Sequence, residues 1–319
     1  MKTLNTRTIK PAVVFAIGAA LLCGAARAEE PVGAAAQSGE EKEETPEGWH
    51  YEGGEGISYG EQPIICAELA VGVEARYLTY GLVDCKDPYY IFTPEVTLFD
   101  WVAVGADAYY AFTRYHEKAD MRSRKGRCFE FDPYLKLTHE FSPEDYEWLP
   151  TKVKATLGYM YEYHRKQWEN GPDTQYWWVK TSLPDLWLVP ELWIERDTMR
   201  DDGTYVNLKL SHDIMLNDDE TIYLTPYVAQ GFGNGQRVKG YLCHEGSDEA
   251  LNHAGFMDTQ IGLEFNWDVC DNVNLWAYAA YSDYLLDRRM RESSREYELS
   301  GHCDDSYNFV GGVYVTLYF

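Results

Sequence analysis

Charged side chains in this chain recur at alternate positions within segments whose other residues are apolar. In a β-strand, residues two apart share one face, so this spacing gathers the charges on one side of a sheet. A charged sheet face that lines a water-filled space attracts ions of opposite sign, and an excess of carboxylates on it favours cations. The nine residues that we select on this pattern as candidate pore-lining residues are Glu74, Arg76, Asp107, Glu130, Asp132, Lys136, Glu191, Glu195 and Glu264.

A hydrolytic site is the alternative chemistry, and the sequence offers one candidate for it. Ser211 and His212 are adjacent, but neighbouring residues of a strand point to opposite faces, so hydroxyl and imidazole should not meet. We find no nucleophile elbow, no His-Glu-x-x-His motif and no phosphate-binding glycine loop. The prediction is that the protein is not an enzyme and uses no cofactor, with an outer-membrane lipid hydrolase as the less favoured reading.

The N-terminal segment has the features of a secretory signal peptide. Basic residues precede a short apolar run from Pro11 to Gly24, and a small-x-small site ends at Ala28. The run is too short to span a bilayer as a helix, so we expect cleavage after Ala28. Residues 29–63 are acidic, rich in glycine and short of Ile, Leu and Val, which predicts a flexible periplasmic tail.

Residues 64–319 repeat a pattern of strand, turn and strand. No segment of comparable length shows helical periodicity. An even number of strands, each long enough to cross a bilayer when tilted, is typical of bacterial transmembrane barrels. The twelve predicted strands span residues 67–80, 90–99, 101–113, 128–140, 152–164, 173–183, 186–197, 203–214, 220–230, 256–268, 273–284 and 307–319.

The apolar positions of these strands form the face that we expect to point outward. Phe129, Leu157 and Met257 are examples, and we expect all twelve faces to lack Asp, Glu, Lys and Arg, with His212 and His139 as the titratable exceptions besides tyrosine. A soluble barrel buries its apolar face, whereas a transmembrane barrel turns that face to lipid. Export, the even strand count and the alternation of short with longer connections favour the second arrangement, with the short connections on the periplasmic side.

Two further patterns bear on the shape of such a barrel. Four prolines lie inside the predicted strands, where a closed barrel offers no edge to accommodate them, so we expect bulges or kinks. Aromatic residues share the charged face, where they could stack against sugars or could pair with the carboxylates and plug the barrel. The prolines are Pro94, Pro133, Pro190 and Pro226, and the aromatic residues are Tyr80, Trp178, Trp187, Trp193, Tyr227, Trp276, Tyr278 and Tyr314.

From Ser306 to the terminal Phe319 the side chains follow the period of two that is typical of a strand. This segment resembles the closing strand of Gram-negative outer-membrane β-barrels. That resemblance implies recognition by the outer-membrane assembly machinery. The segment Tyr77-Leu78-Thr79-Tyr80-Gly81, followed by a loop and Pro94, resembles the opening strand of TorF-family porins, although Tyr80 stands where that family usually has an arginine. The resemblances imply an all-β fold, a single closed antiparallel transmembrane barrel with an up-and-down meander, in the outer membrane of a Gram-negative-type bacterium.

Six of the seven cysteines lie beyond residue 28. Oxidised pairs suit an exported protein, and a disulfide cannot join opposite ends of a barrel because its Cα atoms must lie close together. The candidate pairings between neighbouring loops are Cys66–Cys270, Cys85–Cys128 and Cys243–Cys303. The alternative is a metal site that uses Cys243, His244, His302 and Cys303, for which no tetrahedral ligand spacing is evident.

Basic residues cluster in two outward connections of an acidic chain. The sequence has 28 basic and 52 acidic residues, a net charge of −24, which argues against nucleic acid because phosphate binding needs a basic face. Arginine favours bidentate contact with phosphate, so the lipid phosphates of the membrane and of lipopolysaccharide are the expected partners; a solvated loop is the alternative. The candidate contacts are Arg122, Arg124, Lys125, Arg127, Arg288, Arg289 and Arg291.

These observations predict an outer-membrane channel for passive diffusion of small polar solutes, with a preference for cations or sugars. The alternative is a structural or surface-interaction barrel that has no conducting pore.

Overall fold

Antiparallel strands dominate the part of the chain that the computed structural model describes, which is residues 49–51, 57–59, 62–80, 82–85, 87–112, 128–164, 173–242, 253–297 and 308–319. The strands are β1 Trp49–Tyr51, β2 Ile57–Tyr59, β3 Gln62–Glu74, β4 Tyr77–Thr79, β5 Leu82–Cys85, β6 Tyr89–Leu98, β7 Val102–Ala111, β8 Cys128–Phe141, β9 Val153–His164, β10 Thr174–Ser182, β11 Val189–Asp197, β12 Thr204–Ser211, β13 Ile214–Met215, β14 Ile222–Gly233, β15 Gly255–Cys270, β16 Val273–Asp283 and β17 Phe309–Tyr318. Helix α1 spans Gly235–Leu242 and helix α2 spans Arg288–Tyr297.

Twelve of these strands close into a barrel: β3, β6 to β12, and β14 to β17. Each pairs with the next barrel strand along the chain, and β3 closes the ring by pairing with both β6 and β17. Leu69 of β3 therefore lies opposite Pro94 on one side and Leu317 on the other. The predicted closed antiparallel barrel with meander topology is confirmed.

The two ends of the barrel differ in what connects the strands. We call the end where β3 begins and β17 finishes the near end; there the Phe319 amide donates to the Ala67 carbonyl oxygen at 2.8 Å. Near-end connections include a turn of three residues at 99–101 and one of two residues at 271–272. The far end carries the β4–β5 hairpin, α1 and α2. Neither described helix is long and apolar enough to span a membrane.

Apolar side chains cover the outside of the barrel wall. Large exposed residues such as Leu135, Leu157 and Ile261 alternate with inward-facing polar residues along the same strands. The only Asp, Glu, Lys or Arg residues on the outward parity of the described barrel strands are Arg196 and Asp283, and both lie at the far end. The wall is therefore apolar outside and polar inside.

Two bulges turn predicted outward residues into the barrel. The β7–β8 register shifts between Tyr109 and Tyr110, and Phe129 is buried inside against Tyr89. The β14–β15 register shifts after Gln230, and Met257 is fully buried. The outward assignment of Phe129 and Met257 is wrong because each bulge adds a residue that breaks the alternation of faces.

Backbone pairing is interrupted near two of the strand prolines. The β6–β7 ladder skips Pro94 between Phe92 and Glu95, and the β8–β9 ladder skips Pro133 between Phe131 and Tyr134. Proline has no amide hydrogen to give to a neighbouring strand. The barrel accommodates these residues by local breaks in pairing within a closed sheet.

Three segments differ from the sequence-based expectation. Strands β1 and β2 form a hairpin on the start of β3, within the segment predicted to be a flexible tail. The first barrel strand ends at Glu74, and Tyr77–Thr79 pairs with Leu82–Cys85 in a separate hairpin. Both helices lie in connections where no helix was expected. The predicted signal peptide lies outside the described residues.

Candidate functional site: a lumen with a far-end cap

A cavity of about 750 Å³ occupies the barrel interior beside β3 and β6 to β11. It extends from the near-end turn at Asp100 and Trp101 to the indole rings of Trp178 and Trp193. The charged lining consists of five carboxylates and three lysines: Glu68, Glu95, Asp100, Asp107, Glu191, Lys136, Lys154 and Lys180. The cavity is thus a polar chamber with an excess of negative charge.

Ion pairs and hydrogen bonds fix several of the cavity charges against the wall. Glu95 pairs with Lys136 across the intervening strand β7, and it also accepts a hydrogen bond from the Tyr134 hydroxyl at 2.7 Å. Lys180 and Glu191, on adjacent strands, lie 2.8 Å apart. Lys180 and Glu191 are partly solvated, so this pair contributes little to stability, whereas Glu95 is buried. Together the pairs set the pattern of charge along the lumen.

Glycines opposite aromatic residues keep the inner wall flat. At five places the cross-strand partner of an inward aromatic residue is glycine, and the ring lies over it so closely that a Cβ atom would collide. Such pairs let a large ring lie along the sheet and not project from it. The pairs are Gly72–Tyr314, Gly105–Tyr134, Gly158–Trp178, Gly262–Tyr227 and Gly312–Tyr278.

Other charges on the inner face of the barrel contact aromatic side chains. Glu74 accepts hydrogen bonds from the hydroxyl groups of Tyr89 and Tyr314. Lys209 lies 2.6 Å from Glu264 and 4.5 Å from the centre of the Tyr227 ring. Each of these charges therefore has a partner inside the barrel.

The far end of the lumen is filled by a hydrophobic cap. We define the cap as the β4–β5 hairpin, α1 and α2 together with the wall residues that they bury. Its core residues are all less than one tenth exposed: Leu82, Tyr205, Val238, Tyr241, Leu242, Met257, Tyr284 and Met290. Tyr80 and Trp193 pack against this core.

Local hydrogen bonds explain why helices form at these two places. Asn234 precedes α1, and its side-chain oxygen accepts a hydrogen bond from the Arg237 amide at 3.0 Å. Asp287 precedes α2 and accepts from the amides of Arg289 at 3.0 Å and Met290 at 3.2 Å. Both are N-cap interactions that satisfy otherwise unpaired amides of a first helical turn. The helices then bury their apolar residues in the cap core.

Arg237 is the central polar residue of the cap and is fully buried. Its guanidinium lies 3.3 Å from Glu195 of the barrel wall and 3.4 Å from Asp201 of the β11–β12 connection. The same group lies 4.7 Å from the centre of the Tyr80 ring and 5.1 Å from that of Tyr241. A buried guanidinium with two carboxylates and two ring faces is stable only while all of them stay together.

One contact crosses the whole barrel mouth. Tyr80 belongs to the connection between β3 and β6, whereas Glu195 lies on β11, six strands away around a ring of twelve. The Tyr80 hydroxyl nevertheless hydrogen-bonds Glu195, and the Tyr80 carbonyl oxygen accepts a hydrogen bond from the Tyr284 hydroxyl at 2.5 Å. The cap therefore bridges opposite walls of the lumen.

Burial also changes the acidity of cap residues that lie outside the barrel strands. Burial raises the pKa of Asp201, while Arg237 beside it acts in the opposite direction. Burial likewise raises the pKa of the Tyr241 phenol. The tyrosine therefore stays neutral and offers its ring face to the cation.

A second buried polar group lies on the inner face of β8 and β9. Glu130, Asp132, Glu162 and His164 are each less than one tenth exposed. His164 Nε2 lies 3.4 Å from Glu130 and 3.3 Å from Glu162, and the Tyr176 hydroxyl donates to Glu162. The cluster lies towards the far end of the wall, because β8 begins and β9 ends there.

The nine candidate pore-lining residues lie at different depths. Asp107, Lys136 and Glu191 line the cavity. Glu74 and Glu264 lie on the inner face of β3 and β15 outside the cavity lining, and Glu130, Asp132 and Glu195 are buried towards the far end. Arg76 follows β3 outside the barrel ladder. Their role in conduction stays a prediction.

One expected lumen aromatic lies elsewhere. Trp187 is in the near-end turn between β10 and β11 and is 73% exposed, because β11 begins three residues later than the predicted strand. Its carbonyl oxygen lies 2.8 Å from His212 Nδ1. The adjacent Ser211 ends β12 on the inward parity. The His212 side chain therefore contacts the turn that contains Trp187, whereas the Ser211 side chain points into the barrel.

The candidate lipid-phosphate contacts are described only in part. Arg291 pairs with Asp283 at 2.6 Å and Arg288 with Glu292 at 2.8 Å, while Arg289 is exposed. The remaining candidates, Arg122, Arg124, Lys125 and Arg127, lie outside the described residues.

The disulfide pairings stay predictions. Cys66 of β3 and Cys270 of β15 lie at the same end of the barrel, with β16 and β17 between their strands. The Cys128 thiol donates to the Glu130 carbonyl oxygen at 3.2 Å. The side chain of Cys85, together with Cys243 and Cys303, lies outside what the structure describes, as does the alternative site at His244 and His302.

Sequence reasoning missed the most important cap residue. Arg237 lies in a connection that was read as a loop, and nothing in its neighbourhood marks it as buried. The His164 cluster was also missed, although Glu130, Glu162 and His164 all occupy the charged parity. The signal that could have found it is the Glu-x-His spacing in one strand next to a Glu-x-Asp spacing in the preceding one.

Comparisons with known proteins give low similarity. No family model and no curated protein matches the chain, so the TorF resemblance gains no support. Among solved structures, the KdgM porin in complex with disordered oligogalacturonate is similar over 80% of this chain and 99% of its own, with 5% identity and a TM-score of 0.43. OpdK from Pseudomonas aeruginosa is similar over 82% and 78%, with 10% identity and a TM-score of 0.36. Salmonella typhi OmpF in complex with daunomycin is similar over 80% and 97%, with 9% identity and a TM-score of 0.32. Likenesses at these TM-scores carry no argument about function.

Proposed function

We propose that the protein is an outer-membrane channel through which small polar solutes diffuse passively. One observation carries the proposal: apolar side chains cover the outside of the barrel, while its inside encloses a charged cavity of about 750 Å³. A water-filled lumen behind a lipid-facing wall is what a diffusion channel requires.

Exposed aromatic residues support placement in a membrane. Phe99, Trp148 and Trp187 are prominent at the near end and Tyr163 and Phe309 at the far end, where all five are exposed. Aromatic residues gather at both interfaces of transmembrane barrels, because their rings suit the headgroup region. With the predicted signal peptide, this arrangement supports export to the outer membrane, with the near end in the periplasm.

The charge of the cavity supports a preference for cations. Its lining has two more carboxylates than lysines, and an excess of carboxylates raises the local concentration of cations and repels anions. Flat aromatic rings beside polar groups also suit neutral sugars. We propose small cations as the favoured solutes and neutral sugars as the second class.

The cap makes this a gated channel. The Tyr80–Glu195 and Arg237–Glu195 contacts close the far end, so conduction requires the cap to move. The same contacts favour the second candidate function, a structural barrel that never conducts. Lipopolysaccharide contacts at the outward basic residues and assembly through the strand that ends at Phe319 belong to both candidates and stay proposals.

Planar bilayers distinguish the two candidates. We expect purified, folded protein to show rare channel openings whose reversal potential in a KCl gradient lies on the cation side. Swelling of proteoliposomes in neutral sugars of increasing size should then measure the width of the open lumen. If neither the native chain nor a variant with a weakened cap conducts, while both are folded, the structural barrel is the correct function.

A further inference from the structure

The inner face of β8 and β9 holds a set of potential metal ligands that neither the cavity nor the cap uses. Glu130 lies directly opposite His164 in the β8–β9 register, and Glu162 precedes His164 by two residues on the same face. One donor atom from each lies within 4.8 Å of the other two. All three residues are buried, so they form a fixed and desolvated set of donors.

The spacing of the donor atoms matches that of ligands bound to one ion. His164 Nε2 lies 3.4 Å from Glu130 Oε2 and 3.3 Å from Glu162 Oε1. Two ligands that bind one zinc ion tetrahedrally at about 2.0–2.1 Å lie about 3.3–3.4 Å apart. Both observed distances equal an edge of that tetrahedron, so no backbone movement is needed. A proton shared on Nε2 gives the same distances, and the experiment below separates the two cases.

Two neighbouring residues point independently to a bound cation. The Tyr176 hydroxyl holds the second carboxylate oxygen of Glu162, the kind of outer contact that orients a metal ligand. Asp132 is only 2% exposed. Its carboxyl group hydrogen-bonds that of Glu130, while its Oδ1 atom has no hydrogen-bond partner among the residues that the structure describes. A buried carboxylate in this state next to two others favours a positive ion among them.

We propose that Glu130, Glu162 and His164 bind one divalent first-row transition ion, with Asp132 available as a further ligand. The imidazole in the donor set argues against a calcium or magnesium site, because those ions take oxygen ligands, whereas mixed imidazole and carboxylate donors suit zinc, cobalt or manganese. The ion would join β8 to β9 next to the break in their ladder between Phe131 and Tyr134. It would therefore strengthen the wall at one of the places where backbone pairing is interrupted.

Calorimetry on the untagged full chain tests the site. EDTA-treated protein in detergent is titrated with Zn²⁺, and we expect one ion per chain. Co²⁺ should give visible absorption bands of a four- or five-coordinate ion. We expect His164→Ala to weaken Zn²⁺ binding at least 100-fold and Tyr176→Phe to weaken it about tenfold, the lower end for an outer contact.

Asp258→Asn is the matched control. Asp258 is a buried carboxylate on β15 that Tyr205 and Gln260 hold, outside the cluster, so this variant should bind Zn²⁺ like the native chain. A difference in gel mobility between heated and unheated samples verifies that each variant is folded. Absence of stoichiometric Zn²⁺, Co²⁺ and Mn²⁺ binding by folded native protein overturns the proposal. Binding that survives both Glu162→Gln and His164→Ala overturns it equally, since the ion then lies elsewhere. Neither result depends on whether the barrel conducts.

Discussion

Replacing Arg237 by alanine removes the residue that holds the cap together. The substitution leaves Glu195 and Asp201 buried without their shared cation; their side chains are 9% and 3% exposed. It also removes the cation from the faces of Tyr80 and Tyr241. In an uncapped state both carboxylates regain water, so the substitution destabilises the capped state alone.

The expected size follows from the burial of the pair. Removing one partner of a buried ion pair costs about 3–5 kcal/mol, and a desolvated cation–ring contact adds up to about 2 kcal/mol. At about 1.4 kcal/mol per tenfold change, the ion pairs alone shift the ratio of uncapped to capped molecules by roughly 140- to 3,700-fold. A channel that opens rarely in the native chain should therefore stay open for much of the time in Arg237→Ala.

Single-channel recording in planar bilayers measures this shift as open probability. Arg196→Ala is the matched control, since Arg196 lies at the same end and pairs with Asp202, but their side chains are 40% and 64% exposed. A pair this exposed contributes about 0–1 kcal/mol, so Arg196→Ala should gate like the native chain.

Two results would refute the reasoning about the cap. Equal open probability in folded Arg237→Ala and native protein would mean that Arg237 does not control the mouth. Full conductance of the native protein without closures would mean that solutes pass the cap as it stands. A triple variant with Arg237→Met, Glu195→Gln and Asp201→Asn should gate between the two extremes, because it leaves no stranded charge.

Three further predictions concern the wall and the cap. Gly158→Val should displace the Trp178 ring, lower the free energy of unfolding by about 1–3 kcal/mol in urea and reduce open-channel conductance; unchanged values of both would contradict the close contact. Lys136→Glu raises the excess of cavity carboxylates from two to four, so the reversal potential should move further towards the cation value, and a shift towards anions would disprove the assigned lining. Burial raises the pKa of Asp201 in the capped state above its ordinary 3.8. Proton uptake by Asp201 at a pH between 3.8 and this raised pKa therefore favours the capped state. The open probability should fall on acidification, and a rise in open probability on acidification would contradict this prediction.

The barrel itself could be predicted because alternation of faces survives in nearly every strand. Leu157 and Ile261 lie outside, as their parity predicts, and the final pairing of β17 with β3 needs only an even count of strands. The ends of strands could not be predicted. Alternation continues from Glu74 through Thr79 although the chain leaves the barrel between them, since parity does not record a change of partner.

Neither the bulges nor the positions of side chains along the barrel axis can be predicted from the periodicity of the sequence. Phe129 and Met257 are apolar residues in regular alternating runs, and only the added residue of each bulge turns them inward. Glu162 and His164 could be placed on one face from their spacing. That Glu130 lies opposite His164 depends on register, which is set by the pairing of whole strands and not by local sequence.

The cap could not be predicted, because its helices are short and carry polar residues on most positions. Helix α1 has eight residues, among them Gly235 and Gly240, and two turns are too few to show an apolar stripe. Arg237 is buried only because Glu195, Asp201 and the tyrosines come from distant parts of the chain to meet it. A buried charge of this kind is defined by tertiary contacts that composition does not record.

Trp193 links the cap to the lumen. Its indole stacks on Trp178 with ring centres 4.5 Å apart, lines the cavity and packs against the cap core. Its Nε1 also donates to Glu195 at 3.4 Å, the carboxylate that Arg237 and Tyr80 hold. Release of Glu195 on opening of the cap would therefore free the Trp193 ring, which bounds the cavity together with Trp178. In the proposed gated channel we therefore expect opening of the mouth and widening of the lumen to be coupled through this side chain, without movement of the hydrogen-bonded strands beneath it.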